Sequence, residues 1–235
     1  MIYYFLIANF LGGFVQGATG FGFALVTMSI LPLFMDLTDL TVVTILLGLV
    51  VNFSIIYSLK GGVNFKVLLT PLITSIIGRQ IGTIILLEYD NQYLRTILSM
   101  TIIIVSLYFL IWGHVRIRPN MINGSFCGIL SGILGGLYGL PGPPLVIYYF
   151  SSLDESREYS ATTQATIALS SLYSIFLHMR YGNINADIIK LALIGIIAVS
   201  AGSLLGASLF KKIDRELLKK AIYLVLIITG LATLL

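Results

Sequence analysis

The sequence predicts an all-α polytopic membrane protein of two inverted four-segment repeats, each opening with a re-entrant hairpin broken by Gly or Pro. Three observations predict it. The 235-residue chain is 57% hydrophobic and only 10% charged, where a water-facing domain carries roughly 25% charge. Apolar runs long enough to cross a bilayer, about 20 residues each, recur along it. The glycine pattern of the first half returns in the second.

Eight apolar segments follow one another. The first covers 2–34 and is interrupted at 16–20 (QGATG). Its opening residues carry no basic region and no cleavage pattern, so they read as part of the mature fold rather than a signal. Segments at 40–59, 67–87 and 93–112 complete the first half. The fifth, 121–150, is interrupted at 139–144 (GLPGPP), and 161–177, 188–210 and 217–235 complete the second. The whole chain reads as one transmembrane domain, 1–235, with internal repeats at 1–117 and 118–235. At an offset of 122, Gly13, Gly17 and Gly20 fall on Gly135, Gly139 and Gly142, and Thr41 on Thr163. At 124, Gly78 and Gly82 fall on Gly202 and Gly206, and Asp90, Leu94 and Arg95 on Asp214, Leu218 and Lys219.

Charge sets the orientation. If each interrupted segment enters and leaves on one side, each half crosses an odd number of times and the halves are inverted. Lys60, Lys66, Arg116, Arg118, Arg157 and the five basic residues of 211–220 then share one side, ten in all. Only Arg95, Arg180 and Lys190 lie on the other. The rich side is expected to be cytoplasmic, with both termini outside it. If each interrupted segment crossed once, the split would be seven to six and the bias would vanish. The net charge of +4 is therefore topological and implies no nucleic-acid partner.

The arms of the first hairpin look short. Residues 2–15 reach about 21 Å as helix, against a core about 30 Å thick, so the tips should lie inside the membrane, buried in protein or lining a wet cavity. Breaks there expose N–H groups at a half-helix N-terminus and suit an anion. The candidate binding residues are Gln16, Gly17, Thr19 and Gly20 in the first tip and Gly139, Pro141 and Gly142 in the second. Gly admits a ligand to the backbone, and Pro is expected to end the incoming helix. Packing kinks are the competing explanation of both breaks.

Arg79 is the charged residue well inside a span, where charge is costly and usually faces a cavity or a partner. Its counterpart at the 124 offset is Ser203, so the charge is not part of the repeated frame. Thr163 and Gln164, with Thr162 beside them, and Asn52 are polar candidates for cavity contact or for stapling helices. Gln80 is a weaker one. The glycines at 124, 128, 132 and 136, at 78 and 82, and at 202 and 206 have the four-residue spacing of close helix packing, within the chain or in a homodimer. His114 and His178 sit at segment ends and read as interfacial. Cys127, the single cysteine, reads as a small packing residue.

All ten acidic residues lie at or beyond segment ends, so no intramembrane carboxylate offers itself for proton coupling. Any coupling would run through the substrate's own protonation. No phosphate loop, zinc motif or metal-ligand cluster is present in the sequence; no cofactor, metal or catalytic residue is expected.

The stretches 13–22 (GFVQGATGFG) and 135–144 (GGLYGLPGPP) resemble the paired signatures of the TauE/SafE family, the sulfite exporter permeases. Thr163-Gln164 resembles the opening of that family's second-half helix. The resemblance extends over essentially the whole chain. It implies a transporter of a prokaryotic plasma membrane, with a small anion such as sulfite, an organosulfonate or a related organic acid as substrate. It places Gln16, Thr19, Gly139, Pro141 and Gln164 near the site, and it does not reach Arg79. The partners expected are a small anionic substrate and the lipid bilayer. The alternatives are a channel-like anion facilitator and a non-catalytic membrane assembly partner.

Overall fold

The computed structural model describes the backbone of residues 2–112, 116–209 and 215–234, with side chains for all of these except 209–221 and 232–234. The expectation for His114 lies outside the described residues, as do those for the side chains of Lys211, Lys212, Asp214, Arg215, Glu216, Leu218, Lys219 and Lys220. Among the described residues the protein is all-helical. In the first half α1 (Ile2–Thr19) and α2 (Phe23–Ile30) form the broken segment, a 3-10 turn (Leu31–Leu33) follows, and α3 (Leu37–Leu59), α4 (Phe65–Glu88) and α5 (Asn91–Ile111) continue. In the second, α6 (Met121–Tyr138) and α7 (Gly142–Ser152) form the broken segment, followed by α8 (Ser156–Arg180), α9 (Ala186–Leu209) and α10 (Arg215–Leu234).

The helix ends follow local chemistry. Asp36, Asn64, Asp90 and Asn120 cap α3, α4, α5 and α6 by accepting backbone N–H bonds, as short polar side chains do. The sequence placed the first break at 16–20, but α1 continues to Thr19 and the break lies at residues 20–22. Gln16, Gly17, Ala18 and Thr19 all sit in helical conformation. The first position that demands the left-handed region is Gly20, at φ 84°, followed by Gly22 at φ 109°. The arm is therefore 18 residues and about 27 Å long, nearly a full crossing instead of 21 Å. In the second break Gly139, at φ 63°, ends α6 by an αL cap, its N–H donating to Gly135 O. Pro141 opens α7 instead of ending α6, in keeping with proline's fit to a helix start.

Among the described residues five helices, α3, α4, α5, α6 and α9, are long and apolar enough to cross a membrane. Their outward faces carry exposed Ile73, Ile77, Ile104, Leu193 and Ile197, a surface that suits lipid rather than water. α8 is longer than the apolar run at 161–177 that marked it. Its inward face is polar, with Thr162, Gln164, Thr166, Ser170, Ser171, Ser174 and His178 buried, while Leu169, Leu172 and Phe176 point outward. The chain has turned its amphipathic helix inside out, placing the polar stripe in the protein interior.

Two glycine crossings hold the frame. α1 packs on α9 and α6 on α4 more extensively than any other pair. A Cβ at Gly17 would stand 2.1 Å from Ser203 O, and one at Gly206 2.1 Å from Phe14 O. The α6–α4 crossing repeats this, with 2.5 Å from Gly136 to Arg79 O and 2.3 Å from Gly82 to Ile133 O. The equivalences these contacts define differ from the sequence register. Gly17 matches Gly136, Thr19 matches Tyr138 and Gly20 matches Gly139, an offset of 119 in place of 122. The glycines are so frequent that a three-residue slip preserves several matches, and only the crossing geometry picks one register. The offset of 124 for Gly78 and Gly82 stands.

α3 and α8 lie side by side and antiparallel, since Arg157 at the start of α8 donates to Leu59 O and Lys60 O at the end of α3. α5 and α10 are antiparallel too: Phe109 stacks on Tyr223 while Ser99 and Ile103 flank Gly230.

Overpacking a close crossing costs about 1–3 kcal/mol. Gly17→Ala and Gly136→Ala should each lower the detergent melting temperature. Gly142→Ala, whose Cβ would meet nothing nearer than Phe21 Cβ at 3.9 Å, should leave it unchanged. A fluorescence melting series on the three variants checks this.

Candidate functional site

The two breaks meet. A cavity of about 40 Å³ lies between them, walled by Phe21, Gly22, Ala24 and Leu25 from the first and by Gly139, Leu140, Pro141 and Gly142 from the second. α3 adds Thr44, Gly48 and Asn52, and α8 adds Ser171. At about 10–15 Å³ per water, the space holds about three waters or one compact ion. Glycine keeps it open, because a Cβ at Gly48 or Gly142 would meet nothing closer than 3.9 Å, unlike the crossing glycines.

Its lining is uncharged, with a few polar groups among apolar ones. Thr44 is 1% exposed and its hydroxyl has no partner in the protein. The N–H groups of Ala24 and Leu25 stand at the open end of α2, ahead of Val26 N–H, which closes the first turn on Gly22 O. The second break contributes less, since Pro141, Pro143 and Pro144 have no N–H to give.

Gln16 separates this cavity from a larger one. Its Oε1 accepts from Phe23 N–H at 3.0 Å, so it caps α2 from across the break. Its Nε2 faces Asn52 Oδ1 at 3.4 Å and Gln164 Oε1 at 3.3 Å. Gln164 in turn donates to Gly20 O. Beyond Gln16 opens a cavity of about 500 Å³ with a mixed lining, in which Thr19, Ser58, Asp154 and Ser156 stand among apolar side chains such as Ile55 and Leu153. It ends beside Lys60, Arg116 and Arg157, since Asp154 pairs with Arg116 at 3.8 Å and Arg157 bonds the end of α3.

The residues singled out from sequence divide accordingly. Gly139, Pro141, Gly142 and Asn52 line the small cavity, Gln16 borders both, and Gly20 borders the large one. Gly17 borders the large cavity and carries the α9 crossing as well. Thr19 Oγ1 lies 2.9 Å from Val15 O and 2.6 Å from Phe21 O, so its proton is engaged in closing the break. Thr163 bonds Tyr159 O and lines neither cavity. Thr162 accepts from Asn64 N–H and staples α8 to the start of α4. Gln80 accepts from Tyr173. Arg79 is fully buried outside the small cavity, donating to Ser174 Oγ at 2.8 Å and Ser171 Oγ at 3.0 Å. His178, expected at an interface, is fully buried, because α8 runs past the apolar segment and carries it inside.

Sequence reasoning missed Thr44, Gly48 and Ser171. Thr44 and Ser171 look like ordinary membrane-helix polar groups, and only the meeting of α3 and α8 puts them on one cavity. Gly48 has no glycine partner at helical spacing, a faint sign that it serves space rather than packing.

A multi-pass helical membrane protein with a small cavity between two broken helices is what the fold and this site define. The chain belongs to the sulfite exporter TauE/SafE family, whose profile matches residues 5–233. This is a family of membrane transporters. Comparison with curated proteins and with solved structures gives no match.

An unmade buried hydrogen bond costs about 1–3 kcal/mol. Gln16→Ala strips the cap from Phe23 N–H and should destabilise the protein by that amount, whereas Thr44→Val removes an unpartnered hydroxyl and should not. Melting temperatures of the two variants in one detergent check it.

Proposed function

We propose that the protein is a carrier for a compact anion, sulfite or one of similar size, which it binds between the two breaks and passes across a prokaryotic plasma membrane by alternating access. The observation that carries this reading is the cavity between the two breaks, lined both by Thr44, whose buried hydroxyl has no partner in the protein, and by the first residues of α2. A helix N-terminus favours an anion by about 0.3–1 kcal/mol, up to about 2 where partly buried, and hydrogen bonds to a charged group contribute about 1.5–3 each. An alkyl sulfonate exceeds the present cavity and would need it to widen. Thr44, Asn52, Ser171 and the α2 amides form the site in this reading, with Gly48 and Gly142 giving the ion room.

The two halves, 1–117 and 118–235, are inverted repeats, and each broken helix pair is a re-entrant hairpin. The support is the pairing pattern: α1 packs on α9 as α6 packs on α4, and the equivalent helices α3 and α8 run antiparallel, as do α5 and α10. With the basic loops cytoplasmic, the 500 Å³ cavity opens inward and both termini lie outside. Gln16, Gln164 and Gly20 close the path between that vestibule and the site, which favours a carrier over a channel. Any proton coupling runs through the substrate's own ionisation, since the acidic residues among those described lie at helix ends or in loops.

Sulfite flux into proteoliposomes should saturate and show counter-exchange. Thr44→Val should raise the half-saturating concentration about tenfold, the equivalent of about 1.4 kcal/mol. Gly142→Ala should cut the rate at unchanged stability. Unitary anion conductance without counter-exchange would refute the carrier.

A further inference from the structure

The open vestibule has a closed twin. The crossing register, 119 for the first three helices of each half and 124 for the fourth, carries the vestibule's walls onto the other half. Gly20 and Phe21 fall on Gly139 and Leu140, Ile55 on Ser174, Ser203 on Arg79, and Ala207 on Thr83. The first member of each pair borders a cavity of about 500 Å³. Every second member is buried, with Arg79, Thr83 and Ser174 fully so. The gates correspond as well. Gln16 falls on Gly135, and the guanidinium of Arg79 occupies the space over Gly135, where a Cβ would stand 3.0 Å from its central carbon. Gln16 from α1 stands at one end of the small cavity, and Arg79 from α4 lies behind its wall on the α8 side, bonded to the lining residue Ser171.

The closed region is polar beyond what its hydrogen bonds use. Arg79 Nε, Thr83 Oγ1 and His178 Nε2 have no partner, though each residue is fully buried. No carboxylate pairs with the Arg79 guanidinium among the described ion pairs. Buried polar groups are almost always satisfied, so such a concentration calls for an explanation. Ser171, Ser174 and His178 follow one face of α8 from the cavity wall toward the end near Arg180, opposite the basic loops.

We infer that Arg79, Thr83, Ser174 and His178 line a second vestibule, shut in this conformation, which opens to the face opposite Lys60 and Arg157 and presents the Arg79 guanidinium to the oxyanion. The inference rests on the carrier reading above. It makes Arg79 both the gate on that side and the first anion contact there. A planar guanidinium suits the task, because it binds an oxyanion through two parallel N–H bonds where an ammonium offers a point charge. Its uncompensated burial is the cost of closure, released when the vestibule hydrates.

Single cysteines test it in a background where Cys127 is replaced by Ser. Vesicles carrying Ala207→Cys or Thr83→Cys are first shown to transport sulfite, then washed and treated with a membrane-impermeant charged maleimide on either face. Ala207→Cys should react from the Lys60 face alone and Thr83→Cys from the opposite face alone, each at least tenfold faster than from its other side. No sulfite flux in either variant, or an Ala207→Cys unreactive from the Lys60 face, would overturn the carrier reading. A Thr83→Cys that stays protected, or reacts from the Lys60 face, in vesicles that do transport would overturn the second vestibule alone. Arg79→Gln separates an anion contact from a structural staple. The contact predicts an unchanged or higher melting temperature and at least a tenfold rise in half-saturating sulfite applied opposite Lys60, partly restored in Arg79→Lys. A lowered melting temperature with unchanged sulfite dependence would refute it.

Discussion

A broken helix in the middle of a membrane frees backbone groups where no water can reach them, and each unsatisfied one costs several kcal/mol. The rest of this structure is arranged around meeting that demand. At the first break Gln16 accepts from Phe23 N–H, Thr19 reaches Phe21 O and Gln164 donates to Gly20 O. At the second, Ser131 donates to Pro141 O and Thr41 reaches Leu137 O. The prolines contribute by having no N–H to satisfy. Most polar side chains near the centre are thereby committed, and those left uncommitted stand out. Thr44 Oγ1, Arg79 Nε, Thr83 Oγ1 and His178 Nε2 are among the buried polar atoms left without a partner.

The glycine crossings provide the rigidity that lets such a site exist. Lipid gives no hydrophobic force between helices, so packing and close backbone approach must hold them. At α1–α9 and α4–α6 the approach is so close that a single methyl collides with a carbonyl. Each crossing joins the first helix of one half to the fourth of the other, so neither broken helix is held by its own half alone. In the carrier reading proposed above, a motion that tilts one crossing against the other would open one side of the cavity as it closes the other. That is the mechanical content of alternating access between repeats, and it leaves the backbone bonds around each break intact.

Much of the fold was legible in the sequence for a plain reason: the bilayer imposes a length and a composition on every crossing. The eight apolar segments, the two interruptions and the basic bias of the loops follow from that constraint. Within the candidate site the glycine and proline positions 139, 141 and 142 were legible, because a backbone that must leave the helix needs those residues. Gln16 was legible as a polar group beside a break, although its place inside α1 was not. The repeat register was misjudged by three residues, since glycine alone cannot fix a phase. Helix crossings fix it by demanding one particular carbonyl opposite one particular hydrogen.

Composition and the glycine–proline punctuation by themselves determined a helical membrane protein whose two halves each carry a broken helix, because helix length, helix breaking and charge placement are local properties of the chain. Only the tertiary structure decided which polar groups remain free. Thr44 and Ser171 line one cavity because α3 and α8 run antiparallel beside it, and Arg79 is buried where α6 offers it Gly135. Those outcomes depend on distances between residues far apart in the chain, and no local pattern carries that information.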